Sequence, residues 1–135
     1  MYSDNEKVVL CGASAYEQKY YFNQDFNSLP EAVKQELQIM CVLYTEEIGG
    51  ILTLEFDDDG NLQFKTEALD ADAMYDEIGS VLKIKKLQEE KRELLESLEM
   101  YYRVFFLGET PEENSLKEES TDSGKLLGDS VDNGV

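Results

Sequence analysis

Residues 51–68 read ILTLEFDDDGNLQFKTEA. On an extended chain Ile51, Thr53, Glu55 and Asp57 fall on one side, and Leu52, Leu54 and Phe56 on the other. Beyond Asp59-Gly60-Asn61 the alternation resumes, with Leu62 and Phe64 together and Gln63 and Lys65 opposite. Successive side chains of a strand point to opposite faces, and Asp, Gly and Asn suit the tight turn between two strands. The stretch therefore predicts a β-hairpin with one apolar and one largely polar face. Such a hairpin needs a covering layer on one side only.

The segment before it supplies that layer. Ser28-Leu29-Pro30-Glu31 carries a helix-start signal, with Ser28 as a cap, Glu31 three residues later and Pro30 in the first turn. Leu29, Val33, Leu37, Met40, Cys41, Tyr44 and Ile48 then recur at helical spacing and form one stripe. Ile39, Val42 and Leu43 widen the stripe, which predicts burial on more than one side. Gly49-Gly50 ends the helix, because glycine adopts the left-handed cap conformation at little cost.

Toward the N-terminus, residues 7–11 (KVVLC) and 16–23 (YEQKYYFN) read as two strands of a first hairpin, with Gly12-Ala13-Ser14 as its turn, although YEQKYYF also suits a helix. Downstream, residues 70–107 read as helical. One helix of that length would run about 55 Å, far beyond a domain whose radius of gyration is about 13 Å. Gly79-Ser80 is the natural break, which predicts a short helix over Asp72–Ile78 and a long one over Val81–Leu107.

The long helix carries the candidate surface. Ile84, Leu87, Leu94, Leu98, Tyr101 and Phe105 lie on one seam, and Lys91 continues its heptad. Glu89/Arg92 and Glu99/Arg103 can pair along the exposed side. The end of the helix, MYYRVFFL, is apolar nearly all round and needs cover from this domain or another chain. The candidate interface is therefore Ile84, Leu87, Leu94, Leu98, Tyr101, Tyr102, Phe105 and Phe106. The expected architecture is α+β: a mostly antiparallel sheet of about four strands in two hairpins, packed on two or three helices, the last one long. Residues 1–107 form one domain in this reading. Residues 108–135 are rich in Glu, Ser, Asp and Gly with few large apolar residues, which predicts a disordered acidic tail.

Composition narrows the function more by exclusion. The chain has 30 acidic and 12 basic residues, no His, and a net charge of −18. About −6 of that belongs to the tail and about −12 to the rest. Such a surface repels nucleic acid and anionic lipid and attracts cations or a basic protein. The one basic cluster is Lys83, Lys85, Lys86, Lys91 and Arg92. It reads as a solvated helix face, or as a contact for an acidic partner or the chain's own tail. No window is apolar enough to span a bilayer, and the polar start lacks a signal-peptide pattern, which predicts a cytoplasmic protein. Cys11 and Cys41 are too few and too far apart for a disulfide framework, and read as small apolar core residues.

Catalytic equipment is missing from the pattern. Without His the cysteines have no conventional base, and no P-loop, GxGxxG or HExxH string occurs. Asp57-Asp58-Asp59-Gly60-Asn61 has part of a calcium loop but no later bidentate Glu, so it reads as the hairpin turn. The aromatic group Tyr16, Tyr20, Tyr21, Phe22 and Phe26 has only Lys19 interleaved, which favours core over nucleic-acid stacking. The expectation is no enzyme, no cofactor and no metal site. The leading reading is a non-catalytic protein–protein interaction module that self-associates as a homo-oligomer. One alternative is an acidic mimic that occupies a DNA- or RNA-binding protein. Another is a small-molecule or cation-binding domain, or small hydrolase, with a pocket lined by Tyr and Cys.

Three stretches carry a family likeness: VVLCGASAYEQKYYFN, LPEAVKQELQIMCVLYTEEIGGILTLEFDDDGNL and YDEIGSVLKIKKLQEEKRELLESLEMYYRVFFLG. Together they resemble a family of short uncharacterised proteins from anaerobic Gram-positive bacteria, catalogued as a domain of unknown function. The resemblance spans roughly residues 7–108. It implies a bacterial cytosolic setting, with no activity and no site residues attached.

Overall fold

The computed structural model describes residues 7–110. Four strands form one antiparallel sheet: β1 (Val8–Ser14), β2 (Lys19–Phe22), β3 (Ile51–Phe56) and β4 (Leu62–Glu67), in the order β2-β1-β3-β4. A 3₁₀ turn (Gln24–Phe26) and helix α1 (Glu31–Glu47) carry the chain from the β2 edge back to β3. Helices α2 (Glu77–Glu90) and α3 (Arg92–Phe105) follow. The expected α+β class, with two hairpins and helices against the sheet, is what forms. The chain divides between Glu99 and Met100 into two units, with the boundary inside α3. Residues 111–135, most of the predicted acidic tail, lie outside the described residues.

The predicted hairpin forms, and its register sets Leu54 opposite Phe64 and Phe56 opposite Leu62. Leu52, Leu54 and Phe56 are buried, whereas Ile51, Thr53 and Glu55 are only half-buried. Burying each of those three side chains contributes about 1.5–3 kcal/mol. On the same face, Cys11 pairs with Leu54 and Ala13 with Leu52, and α1 lays Leu37, Met40, Cys41 and Tyr44 over them. Phe26 stacks on Phe56 with ring centroids 5.7 Å apart.

The first hairpin turns later than the sequence suggests. Gly12, Ala13 and Ser14 belong to β1, and the turn is Ala15–Gln18, so β2 is shorter than residues 16–23. The register between β1 and β3 shifts between Val9 and Cys11. The backbone carbonyls there are not left orphaned: Asn23 donates its side-chain amide to Val9 O (2.6 Å) and its backbone N–H to Leu10 O (2.9 Å). Pairing across three strands therefore extends β1 past a sequence that looks like a turn.

Helix α1 starts at Glu31 with Pro30 as its cap residue, where Ser28 was expected. It ends where predicted. Gly49 and Gly50 both have positive φ, at 94° and 71°. At Gly50 a Cβ would also meet the Tyr75 ring and Glu67 O, so both backbone and packing select glycine there. Ile39 and Leu43, expected to be buried, are more than half exposed. One sheet face and one neighbouring helix cover less of α1 than its broad apolar stripe could use.

The C-terminal helices differ most from expectation. Residues 72–76 are irregular, because Asp72 accepts the Met74 N–H in a local turn and Tyr75 points its hydroxyl at Tyr44. Gly79-Ser80 does not break a helix but begins one. Asp76 is the cap, its carboxylate accepting the Gly79 N–H at 2.9 Å. A side chain at 79 would collide with that carboxylate. The interruption falls instead at Lys91 (φ −107°, ψ 21°), so the long helix is two of 14 residues each.

Candidate interaction surface

Helices α1 and α2 lie side by side and antiparallel, since Tyr44 faces Ser80 and Glu36 faces Lys91. The contact is built from hydroxyls and charges. Tyr44, fully buried, shares a hydrogen bond with Ser80 Oγ (2.7 Å) and another with Tyr75 Oη (3.2 Å). Tyr75 Oη donates to Ser80 Oγ at 2.9 Å, closing a triangle. At the two ends Lys83 pairs with Glu47 (2.9 Å) and Lys91 with Glu36 (3.0 Å). Burial, and then the bond to Tyr75, push the Tyr44 hydroxyl above its ordinary pKa, while Ser80 works against the shift. No general base stands among these hydroxyls, so the triangle holds α2 on α1 rather than activating a nucleophile.

That contact uses one side of α2. Ser80 and Leu87 are buried there, with Ile84 half-buried. The opposite side carries Ile78, Val81 and Leu82, each more than half exposed, with Ile78 at 76%. An open groove of ≈ 680 Å³ follows the same side, lined by Leu82, Lys85, Lys86, Gln88, Glu89 and Arg92. Its rim holds Lys85, Lys86 and Arg92 of the basic cluster noted in the sequence. Lys83 and Lys91 are turned away from it into their pairs with α1.

The eight candidate interface residues separate. Leu87 and Leu98 are buried, and Ile84 and Leu94 are half-buried. The interruption at Lys91 puts Ile84 and Leu87 on α2 and Leu94 and Leu98 on α3. Beyond Glu99, Tyr102 is buried, Tyr101 half-buried, Phe105 70% exposed and Phe106 39% exposed. These four form their own ring cluster: Tyr101 lies 4.8 Å from Phe105, and Tyr102 stacks on Phe106 at 5.0 Å. Glu99, read as an exposed helix residue, accepts the Leu62 backbone N–H at 2.8 Å. Ile78, Val81 and Leu82 were missed. The signal was present, as a second apolar line on α2 beside Ile84 and Leu87, but the presumed break at Gly79 divided it.

The acidic turn is accounted for by backbone. Asp57 Oδ1 accepts the N–H groups of Asp59 and Asn61 at 2.9 Å each, and Oδ2 accepts the Gln63 side chain at 3.1 Å. Slight burial pushes its pKa up, but the bonds from Asn61 and Asp59 outweigh this and hold it below the usual carboxylate value. Among the described residues no group of three His, Cys, Asp or Glu could hold a metal ion, and no helix is long and apolar enough to cross a membrane.

In comparison with known families, residues 7–110 match one described as a family of unknown function, DUF6145. The likeness read from the sequence is therefore shown, without the anaerobic Gram-positive origin attached to it. No curated protein and no solved structure matches the chain.

Proposed function

The chain belongs to a family of unknown function, DUF6145, and within it we propose a non-catalytic protein–protein interaction module that pairs with a second copy of itself through α2. The observation that carries this is the exposed apolar line Ile78, Val81 and Leu82 on the side of α2 turned away from α1. Contiguous exposed apolar surface rimmed by charge marks association sites on soluble domains. The occupant follows from the charge order along the helix. Asp76 and Glu77 precede the apolar line, and Lys85 and Lys86 follow it. A second α2 laid antiparallel about a two-fold axis near Leu82 sets the acidic first turn of each copy against the lysines of the other. The three apolar side chains of each copy then meet at the centre. Isologous pairing of this kind is the commonest closed assembly.

Light scattering coupled to gel filtration tests the reading. At concentrations of about 100 μM the full chain is expected to show twice its 15.4 kDa mass. Leu82→Glu should return it to a single copy with unchanged far-ultraviolet circular dichroism. A wild-type chain that stays monomeric at every concentration overturns the proposal. So does a dimer indifferent to Leu82→Glu and Ile78→Lys.

A further inference from the structure

Beneath α1 the core holds a group that apolar packing does not require. Cys11 on β1 and Cys41 on α1 are fully buried free thiols that share a weak hydrogen bond, with their sulfurs 3.9 Å apart. Tyr20 on β2 pairs with Ala13 and so shares the sheet face of Cys11. Among the described residues its buried hydroxyl has no hydrogen-bond partner, and burial, then the neighbouring Cys11 thiol, push it above its ordinary pKa. Two oxidisable thiols in contact beside an unpartnered hydroxyl are more than a filled space.

The geometry points to Cys11 and Cys41 as a concealed dithiol that closes to an internal disulfide when the chain meets a low-molecular-weight disulfide. A disulfide needs sulfurs about 2.05 Å apart. The remaining approach, roughly 2 Å, is shared between two side chains on elements already packed together. Access comes through β2, a four-residue edge strand whose Phe22 lies opposite Cys11 and whose Tyr20 stands beside it. Short edge strands open locally at low cost. Once uncovered, one cysteine loses its proton and its sulfur attacks the small disulfide, forming a mixed disulfide and releasing one small thiolate. The second cysteine, deprotonated in turn, attacks the protein sulfur of that mixed disulfide and releases the second thiolate. The two protons end on the two small thiols. The protein is oxidised by two electrons, and the small disulfide is reduced by the same two. The new bond ties β1 to α1 across 30 residues of sequence. A loop of that length lowers the unfolding equilibrium constant by roughly 5 × 10²-fold. The pair thereby makes the stability of the fold depend on thiol redox state. It uses none of the residues of the α2 surface, so it stands or falls separately from self-association.

The test uses the full chain, incubated without denaturant with oxidised glutathione and followed by intact mass under non-reducing conditions. The expected product has lost two hydrogens and carries no glutathione. Peptide mapping should join the Cys11 peptide to the Cys41 peptide, and the urea midpoint should rise. In Cys41→Ala, glutathione should add at Cys11 and remain, because no second thiol resolves it. If that variant fails to fold, the mass of the wild-type product decides alone. Two unreacted thiols, a lasting glutathione adduct on the wild type, or disulfide-linked dimers would each overturn the inference, with the reagent's activity confirmed on the same chain in urea.

Discussion

Replacing Tyr44 by Phe removes one hydroxyl from the contact between α1 and α2 and leaves its ring in place. Tyr44 Oη binds Ser80 Oγ at 2.7 Å and Tyr75 Oη at 3.2 Å, in a site where Tyr44 is fully buried. A net hydrogen bond is worth about 1 kcal/mol, and an orphaned buried group costs about 1–3 kcal/mol. After Tyr44→Phe, Ser80 keeps the Tyr75 hydroxyl at 2.9 Å, so no group is orphaned and the expected loss is about 1–1.5 kcal/mol. After Ser80→Ala, Tyr44 retains only its longer bond to Tyr75, and the expected loss is about 1–2 kcal/mol. The double variant should lose less than the sum by about 1 kcal/mol, because both substitutions delete the same 2.7 Å bond. Urea unfolding of the wild type, both single variants and the double variant measures this cycle. Additivity within about 0.3 kcal/mol, the usual behaviour of uncoupled sites, would refute the claim that these hydroxyls hold the helices together.

Asp76→Ala should cost about 1 kcal/mol in the same assay, the usual loss for a helix cap whose carboxylate holds an N–H as it holds that of Gly79. The folded chain should lose stability as pH rises above about 8.5–10, where free Cys and Tyr ionise. Burial raises the pKa of Tyr44 and of Tyr20, and the Cys11 contact together with burial raises that of Cys41. Each group therefore binds its proton more tightly when folded, so its contribution is complete below the unfolded pKa and lost as pH rises; urea midpoints across that range check it. Asp57 has the opposite sign. Its folded pKa is lowered, so its contribution is present above about pH 3.9 and lost as pH falls through the folded value. Acid unfolding curves for the wild type and Asp57→Asn should therefore converge as pH falls below that range.

The candidate surface was legible only in part. The seam from Ile84 to Phe105 was visible as spacing, but spacing cannot say which neighbour a helix face meets. Leu87 and Leu98 turned out to be buried, whereas Ile78, Val81 and Leu82 stay exposed. The thiol pair was invisible for a similar reason. Cys11 and Cys41 are 30 positions apart, and only the packing of α1 on β1 brings their sulfurs to 3.9 Å.

From its residues alone the chain determined the second hairpin and its buried face, the body of α1 and the glycines that end it. Those features depend on local geometry: period-two alternation, helical spacing, and backbone conformations that few residues adopt. Tertiary structure alone decided three others. Strand pairing carried β1 through Gly12–Ser14. The bond between Ser80 and Tyr44 of α1 fixed Gly79-Ser80 in the first turn of a helix instead of at its end. The interruption moved to Lys91, within a run of good helix formers. In each case the local preference is worth less than about 1 kcal/mol per residue, and the contacts made by neighbouring elements outweigh it.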